Sequence, residues 1–244
     1  MQIWPAIDLR GGKCVRLQQG DYNRETVFSD DPVQTAHKLI EAGAECLHLV
    51  DLDGARDGHP VNLPSVKAIL DSVEVPCELG GGIREEAHIR SVIDEIGLSR
   101  LVIGTKALRD PHWFHAMVQQ FPGKLVLGLD ARDGKVATDG WTNTSSTSAT
   151  DLAKEFEEEP LVAIIYTDIA RDGMLAGPNV AAMQAMQQAV RLPVIASGGV
   201  TTAADVGALA QIPMAGCIIG RALYEGKLNL GDALAAAQQP LPKK

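Results

Sequence analysis

A strand–glycine–helix unit occurs twice in this chain, and that repetition constrains the fold more than any other feature. The first copy is Glu78-Leu79-Gly80-Gly81-Gly82-Ile83-Arg84, entered from the apolar run Val75-Pro76-Cys77 and left through a helical run, Glu85 to Ile96. The second is Val194-Ile195-Ala196-Ser197-Gly198-Gly199-Val200-Thr201. Glycine-rich backbone can approach an anion closely and aim N–H groups at it, and a helix start adds positive dipole character there. One such loop is equally well a tight strand-to-helix turn. The pair implies two related halves with two phosphate grips, and so a substrate with a phosphate at each end.

Other landmarks repeat in the same order at a nearly constant offset. Gly104 matches Gly220, Arg56-Asp57-Gly58 matches Arg171-Asp172-Gly173, and Asp8 matches Asp130. Apolar strand-like runs alternate with helical runs eight times, with no break in composition, which argues for one parallel α/β domain. An open doubly wound sheet would also fit that alternation. Two four-strand halves, about 1–122 and 123–244, close naturally into an eight-stranded barrel, so the repeat favours the barrel. Cys14-Val15-Arg16-Leu17 alternates like a short hairpin strand; long polar loops are expected from there to Asp31 and from Ala131 to Thr150, and a shorter one over Asp53 to Gly58.

A hydrophobic content of 45% supports a real core, and an aromatic content of 4% suits an interior of Val, Ile, Leu and Ala. A formal net charge of −9 at pH 7 argues against nucleic acid or an anionic membrane as partner, so anion sites must be local. Cys14, Cys46, Cys77 and Cys217 form no C-x-x-C pair and read as buried free thiols in a reducing compartment. No run is long and apolar enough to span a bilayer, and residues Met1 to Asp8 do not resemble a signal peptide. The expectation is a soluble cytoplasmic protein.

Active sites of such barrels lie at the C-terminal ends of the strands. Asp8 and Asp130 end the first and fifth strands, on opposite sides of the ring. Two facing carboxylates can divide general acid and general base roles if their surroundings separate their pKa values. Gly81, Gly82 and Arg84 with Gly104 and Thr105 form one expected cradle. Ser197, Gly198 and Gly199 with Gly220 and Arg221 form the other, and Gly173 and Gly177 add substrate-binding backbone. A molecule held at both ends has its middle placed over the carboxylates. Thr167 can hydrogen-bond the reacting group, and Asp172 can orient a hydroxyl or tune a neighbouring pKa. Arg16 and Trp141, in the two long and mobile loops, suit an anion and a stacked heteroaromatic ring. His112 and His115 share a helix face without a third ligand, so no metal is expected. His48 reads as a core or supporting residue.

Ile3-Trp4-Pro5-Ala6-Ile7-Asp8-Leu9, Lys13-Cys14-Val15-Arg16-Leu17, Leu79-Gly80-Gly81-Gly82-Ile83-Arg84, Gly128-Leu129-Asp130 and Ser197-Gly198-Gly199-Val200 together resemble the ProFAR isomerase family of histidine biosynthesis. The resemblance covers the whole chain. It implies an α/β fold, a TIM (β/α)8 barrel built from two duplicated (β/α)4 half-barrels, with no cofactor. It implies an Amadori rearrangement of an N-linked ribosyl aminoaldose, ProFAR, into the ribulosyl aminoketose PRFAR. Asp130 would protonate the ring oxygen and Asp8 would remove the C2 proton, with Asp172 supporting and Arg16 and Trp141 closing over the substrate. The expected partner is that small molecule with two phosphates; a monomer is expected, with no nucleic acid and no membrane. The rivals are the cyclase subunit of imidazole glycerol phosphate synthase, an isomerase that also takes phosphoribosylanthranilate, and a non-catalytic sensor of bisphosphorylated metabolites. A cyclase would carry a lysine shortly after the first aspartate, whereas Lys13 comes too early and Arg16 fills that segment.

Overall fold

The computed structural model describes residues 1–238. Its strands are β1 (Gln2–Arg10), β2 (Lys13–Gln18), β3 (Asp21–Ser29), β4 (Leu47–Asp51), β5 (Cys77–Gly80) and β6 (Arg100–Ile103), followed by β7 (Leu125–Arg132), β8 (Lys135–Thr138), β9 (Asn143–Ser148), β10 (Ile164–Asp168), β11 (Val194–Ser197) and β12 (Gly216–Ile219). Eight of them form a parallel ring in the order β1-β4-β5-β6-β7-β10-β11-β12. Pairing of β7 with β10 and of β12 with β1 completes it, with Ile3 opposite Cys217 and Tyr166 opposite Leu129. Helices lie between the strands, so the expected (β/α)8 barrel is the fold.

Alternation along each strand sorts the side chains to two faces. Trp4, Ala6, Cys46, Val126, Ala163, Ile165, Ile195 and Ile218 fill the inside of the ring. Ile3, Ile7, Leu47, Leu49, Leu79, Leu101, Leu127 and Ile219 belong to the second cluster, packed with the helical residues Val66, Ile89, Phe114, Met183 and Val206. The helices start where their caps dictate. Asp31, Asp110 and Asn179 accept from the N–H of Gln34, Trp113 and Ala182, and Thr202 and Asp205 form a reciprocal capping box. All four cysteines are free and buried, and burial pushes Cys46, Cys77 and Cys217 up to about 12.

Three segments expected as loops are ordered. Residues 21–29 form β3, antiparallel to β2, and residues 135–138 and 143–148 form the β8–β9 ribbon. Both ribbons stand beyond the ring, and β3 is mostly exposed on both faces. With neither face buried, no apolar alternation was needed, and the sequence pattern read as loop. Residues Leu52–Asp57 form a short helix, capped by the Asp51 carboxylate accepting from Gly54 N–H at 2.8 Å and ended by Gly58 at φ +86°. The sixth barrel strand starts at Ile164 and includes Thr167 and Asp168, later than the apolar run suggested.

The two glycine turns have the same backbone. Gly81 and Gly198 sit at φ +107° and +98°, pressed onto the Asp51 and Asp168 carbonyls of the preceding barrel strand. A Cβ at Gly81 would lie 2.2 Å from the Asp51 oxygen, and one at Gly198 would lie 2.7 Å from the Asp168 oxygen. Gly134 also has a positive φ, +73°, but open space around it. G81A should therefore destabilise the fold by about 3 kcal/mol or more, against about 1 kcal/mol for G134A, in urea unfolding. Equal losses would show that the close approach does not matter.

Candidate active site

A cavity of about 260 Å³ opens at the C-terminal ends of the barrel strands. The side chains that point inward one level below are small at three places: Ala6, Gly80 and Gly128. A Cβ at Gly128 would come within 3.0 Å of Val102. These small residues leave the top of the ring hollow where lower layers are filled. Ring order places β1 opposite β7, so Asp8 and Asp130 face one another across the hollow. It also places β5 and β6 opposite β11 and β12, so the two glycine turns face one another as well.

The two aspartates have unlike surroundings. Asp8 Oδ1 is 2.6 Å from Arg16 Nη1. Arg16 is itself buried, donates to the Ala6 carbonyl, and lies over the Tyr224 ring with 4.8 Å from its Cζ to the ring centre. Tyr224 in turn donates to Ala6 O at 2.8 Å. Asp130 has no such cation. Burial pushes its carboxyl up, opposed by donors from Trp141 and Thr167 and by the more distant His48. Asp172 stands close enough to feel both, and burial plus the Asp8 charge pushes it up to about 7.

Nearly all the residues singled out in the sequence line this one cavity. Gly81, Gly82, Arg84, Gly104 and Thr105 lie at one end and Gly173, Ser197, Gly198, Gly199, Gly220 and Arg221 at the other, with Asp8, Arg16, Asp130, Trp141, Thr167 and Asp172 between them. Gly104 and Gly220 share a backbone conformation, φ −108° in both, ahead of a short helix. Arg221 Nη1 donates to Gly173 O at 2.5 Å and ties that loop to the second cradle. Thr105 Oγ1 accepts from Asp139 N–H at 3.2 Å and ties the β8–β9 ribbon to the first.

Two expectations need correction. Gly177 does not line the cavity. Its carbonyl backs Gly199, where an added Cβ would sit 2.5 Å from it, so it buttresses the second turn from behind. Arg16 does not lie in a mobile loop but on β2, locked against Asp8. Trp141 does lie at the tip of the β8–β9 ribbon, at φ +70°, with its ring against Gly20. The sequence reading missed Tyr22, His48 and Lys106 as lining residues. His48 was findable: it has the same strand parity as Cys46, which points inward. Of the histidine pair, His115 is not simply solvated, since its Nδ1 meets Glu159 at 2.6 Å. Among the described residues no cluster of three or more His, Cys, Asp or Glu could hold a metal ion.

The family model described as histidine biosynthesis protein matches residues 2–229. The chain belongs to the histidine biosynthesis protein family. It is similar to proteins named 1-(5-phosphoribosyl)-5-((5-phosphoribosylamino)methylideneamino)imidazole-4-carboxamide isomerase. The one from Rhodopirellula baltica is 50% identical over 240 residues, covering 97% of this chain and 94% of the relative. The one from Desulfosudis oleivorans is 51% identical over 240 residues, covering 97% and 95%. The one from a Roseiflexus species is 48% identical over 238 residues, covering 98% and 100%. The match runs over nearly the full length of this chain and of those relatives.

The position of Asp172 makes a prediction about stability. Its folded pKa of about 7 lies above the ordinary value of about 3.9. Between those values the folded form holds a proton the unfolded form has lost, so this residue's contribution declines as pH rises through the window. D172N, which resembles the protonated acid, should melt at the same temperature as wild type near pH 4 and gain on it steadily up to about pH 7. A difference that does not change with pH would contradict the assignment.

Proposed function

We propose that this chain is the aldose–ketose isomerase of histidine biosynthesis, carrying out the Amadori rearrangement of the bisphosphorylated ribosyl aminoaldose to its ribulosyl aminoketose. One observation carries the reading: two anion cradles face each other across a cavity whose floor holds two opposed carboxylates in unlike surroundings. A ligand with a phosphate at each end spans it and lays its sugar over Asp8 and Asp130.

Chemistry follows from the surroundings. Asp130 and Asp172, raised by burial and without a cation in contact, form the proton-donating side. Asp130 protonates the ribose ring oxygen, the C1–O bond breaks, and the ring opens to a Schiff base. Asp8, held by Arg16, forms the proton-accepting side and removes the C2 proton. The resulting enolamine tautomerises to the ketone. Thr167, paired in register with Asp130, orients that carboxyl. Trp141 covers the site from the ribbon tip and presents a ring face for the imidazole. Residues 1–122 and 123–244 are two copies of one half-barrel in a single domain, the last six positions of the second lying outside the described residues. The enzyme works as a cytoplasmic monomer. Among the described residues no helix is long and apolar enough to cross a membrane.

The assay that decides uses the purified aminoaldose with no ammonia or glutaminase. Isomerisation is expected; a requirement for ammonia would point to the cyclase. D8N should bind the substrate within about threefold of wild type while kcat falls by about 10²-fold or more. Turnover near the wild-type rate in D8N would remove Asp8 from the proton transfer.

A further inference from the structure

The apolar filling of the ring is interrupted by a buried ionic cluster that the reaction scheme above leaves unused. Glu78 on β5 is fully buried. Its Oε1 is 2.7 Å from His48 Nδ1 on β4, and its Oε2 is 2.7 Å from Arg100 Nε on β6. Arg100 lies over the Trp4 ring, with 4.0 Å from its Cζ to the ring centre. Around the cluster the ring interior holds Trp4, Cys46, Val126 and Ile195. A buried ion pair of this kind is weak support for stability, since apolar side chains of similar volume commonly do as well. Here Arg100 Nη2 and Trp4 Nε1 are buried without partners, which adds to the cost. Such a cluster calls for a reason other than stability.

His48 supplies the reason. It is in register between Ala6 and Glu78, and it lines the cavity. Its Nε2 makes no hydrogen bond to the described residues, yet it is not among the sealed atoms that lack a partner, so it opens to the cavity. Arg100 can only donate, so it occupies Oε2 as a donor. The other oxygen of the same carboxylate then accepts from His48, which requires the proton on Nδ1. We propose that Glu78 is a positioning residue: with Arg100 behind it, it holds the His48 Nδ1–H into the barrel and presents Nε2 to the substrate. In the neutral ring that Nε2 accepts a hydrogen bond from a sugar hydroxyl beside the reacting carbons. The identity of that hydroxyl rests on the isomerase reading, whereas the orientation of His48 does not.

E78Q makes a sharp test, because the amide cannot serve both neighbours as the carboxylate does. Arg100 only donates, so the amide oxygen must face it and the NH2 must face His48 Nδ1. The proton on the neutral ring then moves to Nε2, and the cavity sees a donor in place of an acceptor. Nitrogen-15 NMR of labelled histidine at about pH 8, above the ordinary imidazole value of about 6.5, reads this directly, with H48Q assigning the resonance. Wild type should show Nδ1–H and E78Q should show Nε2–H. In E78Q kcat should fall about 10- to 100-fold with KM within about threefold. R100K, which disturbs the same cluster but keeps a cationic donor on Oε2 and the Glu78–His48 bond, should keep Nδ1–H and lose far less kcat.

Wild type with Nε2–H, E78Q with an unmoved proton or full kcat, or R100K losing as much as E78Q would each overturn the proposal. An enzyme inactive on the aminoaldose would fail the functional reading alone, since the tautomer measurement needs no turnover.

Discussion

Closure of the parallel sheet between β12 and β1 is the constraint on which everything else rests. An open sheet with these strands in the same order would leave the first and fifth in one row with three strands between them. The closed ring sets them face to face, and puts the turns after β5 and β6 opposite those after β11 and β12. Separations across the mouth that no local interaction could fix are thus fixed by ring geometry. The glycine turns depend on the same frame, because each is wedged against the carbonyl of the neighbouring strand.

Within this two-fold frame the chemistry requires asymmetry, and a few side chains provide it. The related aspartates at positions 8 and 130 start equivalent. Arg16, brought in by the β2 strand, makes one an ion pair. The corresponding ribbon of the other half brings Trp141 instead, a ring with a single neutral donor. One carboxylate lies against a guanidinium, while burial favours the proton on the other. His48 has a third role, a polar atom kept aimed at the cavity by a carboxylate buried behind it. The two glycine turns are alike in backbone, while the groups beside the two aspartates differ.

Much of this was legible in the sequence because its signals are backbone signals. Glycine pairs after apolar runs mark positive-φ turns, aspartates at strand ends mark the mouth, and a repeated order marks the halves. What escaped the sequence was set by the partners of each residue in space. The outer strands β3 and β9 are mostly polar and exposed, so their strand character shows only in their pairing. Gly177 has the φ of a turn residue but serves behind the cradle, a distinction that no spacing encodes. The strand under Arg16 was legible in the alternation of Cys14 to Leu17, but the ion pair that holds its side chain still joins two strands and was not. The cluster of Glu78, His48 and Arg100 draws one residue from each of three successive barrel strands, far apart along the chain.

The central claim is that binding at both ends of the ligand is used to place its middle. Turnover of aminoaldose analogues lacking one phosphate, first at one end and then at the other, tests it most directly. If anchoring serves positioning, each analogue loses kcat by an order of magnitude or more in addition to its rise in KM, because remote binding energy is then expressed in the transition state. If either phosphate can be removed with kcat unchanged and only KM raised, the cradles are mere handles and the account of the site is wrong.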